Sequence, residues 1–358
     1  MKKLMPAALL LIVFAILYWY ASSNHFFIES DKEAEVAPAL VKAEAEQVDA
    51  IELDTDGKPL KLVKVKEDWK VQGNEDYPVS SYAVTDWITT FTGVAGQAVV
   101  EEEAADMAKY GLDHPAAVYS ITEGGNVHRI EVGGNTPVPG TVYARTDGTK
   151  TVYQVSESDL SGLKRSAFDF ARKEPLTFTL EEVREFKWSW DGQSYDLKKE
   201  PTKENSADEA ENWSLNGEKL TQDKASSLIN AFRFLMIDRE PERADALSGS
   251  GAKQDWSLTI TLQPEAIDPG QPQEKAVTKR YGGYMKEEHM WIIPDGEGWA
   301  YPVDESSFHE AVQTWQDDEK QDEPESNQNK MRHGCRSREA VSSYCSHYNS
   351  GQRSRSAA

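Results

Sequence analysis

Apolar and polar residues alternate with two different periods along this chain, and the periods predict its secondary structure. Between residues 48 and 71 the alternation is close to two residues and is interrupted at Asp56-Gly57, which predicts a strand, a turn and a second strand. Residues 80–91 then carry four apolar side chains on one face of a helix, because they fall at i, i+3, i+4 and i+7. These side chains are Val84, Trp87, Ile88 and Phe91. Strands are expected next at 118–122, 127–132, 142–145 and 151–155, and a short helix at Ser156.

The same order of elements recurs later in the chain. Residues 186–190 and 195–197 flank Asp191-Gly192 like the first hairpin, and Trp213 follows them as Trp69 follows the first. A second helical face lies 141 residues after the first at each of its four positions, Ala225, Leu228, Ile229 and Phe232. Strands are expected at 256–262, 276–281, 290–293 and 299–303. The order predicts an internal repeat, although chance coincidence of amphipathic helices remains the alternative.

These patterns predict an α+β fold of two tandem, related, β-rich units with mostly antiparallel sheets and short helices. We expect the first repeat unit over residues 48–175 and the second over 176–315. A linker rich in Glu, Ala and Lys precedes them over 22–47, and an acidic then basic disordered tail follows over 316–358.

An uncharged run, residues 4–21, follows Lys2 and Lys3 at the N-terminus and ends in Tyr18-Trp19-Tyr20. Its length predicts a single transmembrane helix, and the aromatic end suits a membrane interface. The positive-inside rule then places residues 1–3 in the cytoplasm and the body outside it, at the cell membrane. A cleaved signal peptide, with 21–23 as the processing site, and a buried N-terminal helix are the alternatives.

Net charge limits the classes of partner. The chain carries 39 Lys and Arg against 61 Asp and Glu, a net charge of −22. Residues 330–358 are basic, at +5, so the acidity belongs to the rest of the chain. An acidic body argues against binding nucleic acid, because phosphate binding needs a basic surface.

No local pattern predicts catalysis. The body before residue 335 has no cysteine, no G-x-S-x-G motif and no paired histidines with metal-ligand spacing. We expect His114, beside Pro115, to face solvent, and the glycine-rich loop 249–253 to be a flexible loop without a phosphate site. We therefore predict no catalytic, cofactor-binding or metal-binding residue and no cofactor.

The basic tail carries one sharper pattern, His333-x-Cys335 and Cys345-x-His347, four residues of types that bind zinc. No apolar framework surrounds them, and the Ser- and Arg-rich composition is foreign to the acidic body. We expect disorder there, and translation in a shifted reading frame would explain the composition.

Three segments carry a family resemblance: YGLDHPAAVYSI at 110–121, VGGNTPVPGTVYAR at 132–145 and VYQVSESDL at 152–160. In this order they resemble the family of the domain of unknown function 4340, strongly over about 51–180 and more weakly over 181–315. The familiar residues predict turns and packing: positive φ at Gly133, Gly134 and Gly140, and sheet packing for Tyr143, Tyr153 and Tyr301.

The resemblance implies a bacterial protein anchored by one N-terminal helix, with its body outside the cytoplasm. It also implies association with an ABC-type export permease and an auxiliary component similar to gliding-motility transport proteins. No catalytic residue of the family is established. We expect a non-enzymatic accessory subunit that works through sheet edges or the groove between its halves. The alternatives are a module that binds an envelope polymer or peptide through exposed Trp188, Trp190 or Trp299, and an unrecognised hydrolase.

Overall fold

A computed structural model describes residues 39–55, 57–200, 213–248, 255–263 and 275–321. The predicted anchor, most of the predicted linker, the glycine-rich loop and the basic tail lie outside these residues. Within them, no helix combines the length and the apolar composition needed to cross a membrane.

The first half of the body is an eight-stranded antiparallel sheet. Its strand order is β3-β2-β1-β5-β6-β7-β8-β4. The strands are β1 (Val48–Thr55), β2 (Lys58–Val65), β3 (Asp68–Val71), β4 (Ala98–Glu101), β5 (Ala117–Glu123), β6 (Asn126–Asn135), β7 (Thr141–Thr146) and β8 (Val152–Ser156).

The second half is a nine-stranded antiparallel sheet with the order β12-β11-β10-β9-β14-β15-β16-β17-β13. Its strands are β9 (Val183–Trp190), β10 (Gln193–Lys199), β11 (Trp213–Leu215), β12 (Glu218–Leu220), β13 (Glu242–Arg243), β14 (Trp256–Leu262), β15 (Val277–Lys286), β16 (His289–Pro294) and β17 (Trp299–Asp304). Apart from the extra edge strand β12, this order repeats that of the first sheet strand for strand. The shared order supports the predicted repeat, and the described fold is a β-rich α+β fold.

Among the described residues, five α-helices accompany the sheets: α1 (Ser81–Gly93), α2 (Glu157–Ser161), α3 (Gln222–Arg233), α4 (Ala244–Ser248) and α5 (Glu305–Gln321). A hydroxyl caps each of the two equivalent helices: Ser80 Oγ accepts from the N–H of Ala83, and Thr221 Oγ1 accepts from that of Lys224. The four apolar residues predicted for each helix face are buried against the adjoining sheet, which confirms both faces.

Three predictions need correction. Val41, in the predicted linker, is 3% exposed and belongs to the first core, so the folded body begins earlier than residue 48. Helix α5 continues to Gln321, past the predicted end of the second unit at 315. Gly133 and Gly134 lie within β6 and not in a turn, and only Gly140 of the three glycines has positive φ.

A short backbone ribbon joins the two halves. Segment 170–173, which leaves the first half, bonds on one side to 78–80: the N–H of Arg172 donates to Pro78 O at 2.7 Å, and that of Ser80 to Phe170 O at 2.8 Å. On its other side, Lys173 O accepts from the N–H of Ile237 at 2.9 Å, and Ile237 pairs with Val303 of β17. The halves are therefore connected by hydrogen bonds as well as by the covalent chain.

Candidate functional site

A cleft of about 470 Å³ opens beside this ribbon, and both halves line it. Because its walls are the edge strand β3, the segment before α1 and the turn between β16 and β17, its shape depends on how the halves are joined. The lining residues are 68–70, 76–79 and 81 of the first half, Arg172 of the ribbon, and Arg243 and 297–299 of the second half.

Aromatic rings hold the two walls together at the base of the cleft. The indole N–H of Trp299 donates to the carbonyl oxygen of Asp76 at 2.7 Å, and Tyr77 meets the Trp299 ring edge-on at 5.4 Å. Trp299 is 8% exposed and Tyr77 is 5% exposed. These rings therefore bury apolar area between the halves and leave the polar groups to face the opening.

Charged groups form the rim of the cleft in pairs. Arg172 Nη2 donates to Glu297 Oε2 at 2.6 Å and also to the hydroxyl of Tyr301, which itself donates to Glu297 Oε2 at 2.9 Å. Arg243 Nη1 lies 3.7 Å from Asp76 Oδ2, and its guanidinium lies 5.1 Å from the centre of the Trp299 ring. Lys70 and Asp68 lie in no ion pair with another described residue. The cleft thus presents both signs of charge.

Two buried polar atoms at this junction have no partner among the described residues, Tyr77 OH and Arg172 Nε. Burial raises the pKa of Tyr77 far above its usual value, and the nearby charges of Glu240 and Asp169 raise it further. Burial also raises the pKa of Tyr301, and the opposing influence of Arg172 does not cancel this rise. Both phenols therefore stay protonated near neutral pH and cannot act there as bases.

Charged, aromatic and hydroxyl side chains line the cleft. A hydrolase needs a nucleophile within hydrogen-bond reach of a base that a third group orients. The lining residues include one hydroxyl nucleophile, Ser81, but no histidine or cysteine. Within the described ranges, no three His, Cys, Asp or Glu side chains are grouped closely enough to hold a metal ion.

A buried histidine that the sequence did not single out lies in the second half. His289 is 4% exposed, its Nδ1 lies 2.8 Å from Glu287 O, and its Nε2 lies 3.1 Å from both carboxylate oxygens of Asp238. It ties the segment after α3 to β16 and does not line the cleft. The predicted solvent-facing position of His114 is confirmed, since its side chain is 94% exposed.

The tryptophans proposed as exposed platforms are mostly in the core. Trp188 is 2% exposed and stacks on Tyr195 with ring centres 4.5 Å apart. Trp299 is buried at the junction, and Trp190 is half-buried against Phe308. Core packing, the other interpretation of these rings, is therefore found for Trp188, which also meets Phe232 and Trp315, and for Trp299.

The short motifs that carry the family resemblance contact one another. The turn at Tyr110 and Gly111 packs on Gly133, and a Cβ at Gly133 would lie 2.2 Å from the carbonyl oxygen of Tyr110. The rings of Tyr110 and Tyr143 meet at 4.9 Å, and the Tyr110 hydroxyl donates to Glu101. These motifs therefore occur together because their residues pack against one another on the outer face of the first sheet.

Comparison with known proteins agrees with this pattern of motifs. A family model described as Domain of unknown function (DUF4340) matches residues 69–254, just over half of the 358-residue chain. The match begins at β3 of the first sheet and ends after α4 in the second half, so it crosses the ribbon. No curated protein and no solved structure matches the chain. The chain belongs to the DUF4340 family.

Proposed function

We propose that this protein is a non-enzymatic accessory subunit of an ABC-type export transporter and that the cleft between its halves is the contact surface. In this proposal residues 4–21 anchor the chain in the cell membrane as a single span, and the body lies outside the cytoplasm. The observation that carries the proposal is the junction itself, where the ribbon bonds to 78–80 on one side and to Ile237 on the other, beside a polar cleft.

The charge of the cleft favours a protein partner. Its rim carries arginine and lysine beside aspartate and glutamate, and complementary charges of both signs determine which partner docks and in which register. Lys70 and Arg243 lie on opposite walls, so a polar loop of a permease or auxiliary subunit could contact both halves at once. A rigid junction suits this role, because a preorganised surface loses less entropy on binding.

A second candidate is a module that holds an envelope polymer or peptide in the same cleft. The volume of about 470 Å³ favours it, since it falls within the range of small-molecule sites. On this alternative the cleft binds its ligand in the absence of any transporter component.

Charge reversal on both walls tests the leading proposal. We expect the wild-type chain, purified in detergent from its native membranes, to recover permease and ATPase subunits detectable by mass spectrometry. K70E and R243E should each lower that recovery at least threefold, because each brings a carboxylate into a rim that already carries Asp68 and Asp76.

K219E, on the exposed edge strand β12, is the matched control and should recover the subunits as wild type does. Thermal unfolding of every variant excludes loss of the fold as the cause. Repeated failure of the wild-type chain to recover any transporter component would overturn the proposal. If K70E and R243E recover the subunits as well as the wild-type chain does, the cleft is not the contact surface.

A further inference from the structure

The two sheets differ at one equivalent place on their outer faces. In the first sheet, Glu131 of β6 is the direct partner of Arg145 of β7. Arg145 Nε and Nη2 each lie 2.6 Å from Glu131 Oε2, and Glu131 is 7% exposed. A buried ion pair therefore occupies this part of the first sheet.

The equivalent pair in the second sheet is Gly282 of β15 and Ile293 of β16, which are also direct partners. A hydrogen bond found in both hairpins fixes the alignment. The N–H of Asp147 donates to Arg129 O at 3.0 Å, and the N–H of Asp295 donates to Arg280 O at 2.8 Å. Gly282 thus stands where Glu131 stands, and Ile293 where Arg145 stands.

A cavity of about 400 Å³ lies at this place in the second sheet. Because Gly282 has no side chain and Ile293 is shorter than arginine, no side chain of these two residues fills the volume that the ion pair takes in the first sheet. Thr259, Arg280, Tyr284 and Asp295 line the cavity beside Gly282 and Ile293.

The lining combines an apolar surface with polar side chains that have no hydrogen-bond partner among the described residues. Ile293 and the Tyr284 ring supply the apolar part. The side chains of Thr259, Arg280, Tyr284 and Asp295 make no hydrogen bond or ion pair with another described residue. Together they offer donors and acceptors, and the charges of Arg280 and Asp295 balance.

We propose that this cavity binds a sugar ring of a neutral saccharide. A pyranose has an apolar face of C–H groups, which suits an aromatic ring, and a rim of hydroxyls that each donate and accept hydrogen bonds. Hydroxyl, phenol, guanidinium and carboxylate groups around the cavity match that rim, and balanced charge suits a neutral ligand. The proposal concerns a site on the outer sheet face and does not depend on the function proposed for the cleft.

Grafting the ion pair of the first sheet tests the inference. The double variant G282E/I293R should fill the cavity with the side chains that the first sheet accommodates at the equivalent positions. The probes are tetrasaccharides of glucose and of N-acetylglucosamine, measured with the purified full-length chain by saturation-transfer NMR and calorimetry. We expect the wild-type chain to bind at least one probe and G282E/I293R to bind it at least tenfold more weakly.

Two further variants separate binding from folding. T259A removes a hydroxyl from the cavity without adding volume and should weaken binding at least threefold. T278E places a carboxylate on β15 at an exposed position outside the cavity and should bind as wild type does. The absence of wild-type binding to both probes, or equal binding by wild type and a folded G282E/I293R, would overturn the proposal.

Discussion

Gly133 shows at the scale of one residue why a motif can be recognised in the sequence and still be misinterpreted. A pair of glycines before Asn-Thr-Pro predicts a turn, because glycine adopts positive φ without steric cost. Gly133 instead lies in a strand, where the carbonyl oxygen of Tyr110, distant in the sequence, leaves no room for a Cβ. A contact of this kind cannot be derived from the local pattern.

We predict that Gly133→Ala destabilises the protein by about 1–3 kcal/mol, because the added methyl forces either the Tyr110 turn or β6 to move. Chemical denaturation of the two proteins measures the difference. Gly93→Ala is the matched control: no atom lies within 4 Å of its added Cβ, and its φ is not positive. That variant should be neutral or slightly stabilising, and an equal loss in both would contradict the contact argument.

The environment of Trp299 in the cleft could not be derived from the local sequence either. Trp299 looks like a platform in the sequence because tryptophans often bind ligands at surfaces. Its indole N–H instead bonds to Asp76, more than two hundred residues earlier, and its ring is covered by Tyr77. The burial of the Trp299 ring therefore depends on partners that are distant in the sequence.

At the scale of elements, sequence periodicity was most informative where one face of an element is buried. Both four-residue helix faces and most of the strands lie where they were predicted, because burial on one side imposes a regular pattern. Helix α5 was not predicted, and the acidic residues from Asp317 onward suggested a solvated tail where the helix continues. The strand β13 was missed because two residues are too few to show a period.

The start of α5 offers a test of pH dependence. The hydroxyl of Ser306 lowers the pKa of Asp304 by hydrogen bonding, and the backbone N–H groups of Ser307 and Ser306 add to this effect. The folded state therefore favours the charged form of the Asp304 carboxylate. This carboxylate stabilises the fold fully above its unfolded pKa of about 4, and the stabilisation is lost as the pH falls further.

We therefore expect Asp304→Asn to lower the thermal midpoint near neutral pH and to reduce the fall of that midpoint between about pH 5 and about pH 2.5. Thermal unfolding followed by circular dichroism at several pH values measures both effects. Asp113→Asn, in an exposed turn, serves as control and should follow the wild-type curve. An unchanged pH profile in Asp304→Asn would show that this carboxylate does not contribute.

At the scale of the whole molecule, the halves were predicted as successive units, whereas the structure joins them through the ribbon. The cleft could not be predicted because its lining comes from five separate stretches, near residues 69, 77, 172, 243 and 299. No local period signals such an assembly. Its existence depends on the pairing of 170–173 with segments on both sides.

The ribbon predicts that the two halves unfold together. Ile237→Pro removes the N–H that donates to Lys173 O and also the buried side chain, so we expect it to separate one cooperative transition into two. Calorimetry resolves the transitions. Ile237→Val keeps the N–H and most of the side chain, and it should retain one transition. Two transitions in the wild-type protein would contradict the coupling.

The ribbon also changes what counts as a half of this protein. Segment 170–173 makes backbone hydrogen bonds on both of its sides, to 78–80 and to Ile237. A cut on either side of it would leave backbone groups of one half without these hydrogen-bond partners. Because both halves bond to this segment, we expect that neither half keeps all of its backbone hydrogen bonds when it is expressed alone.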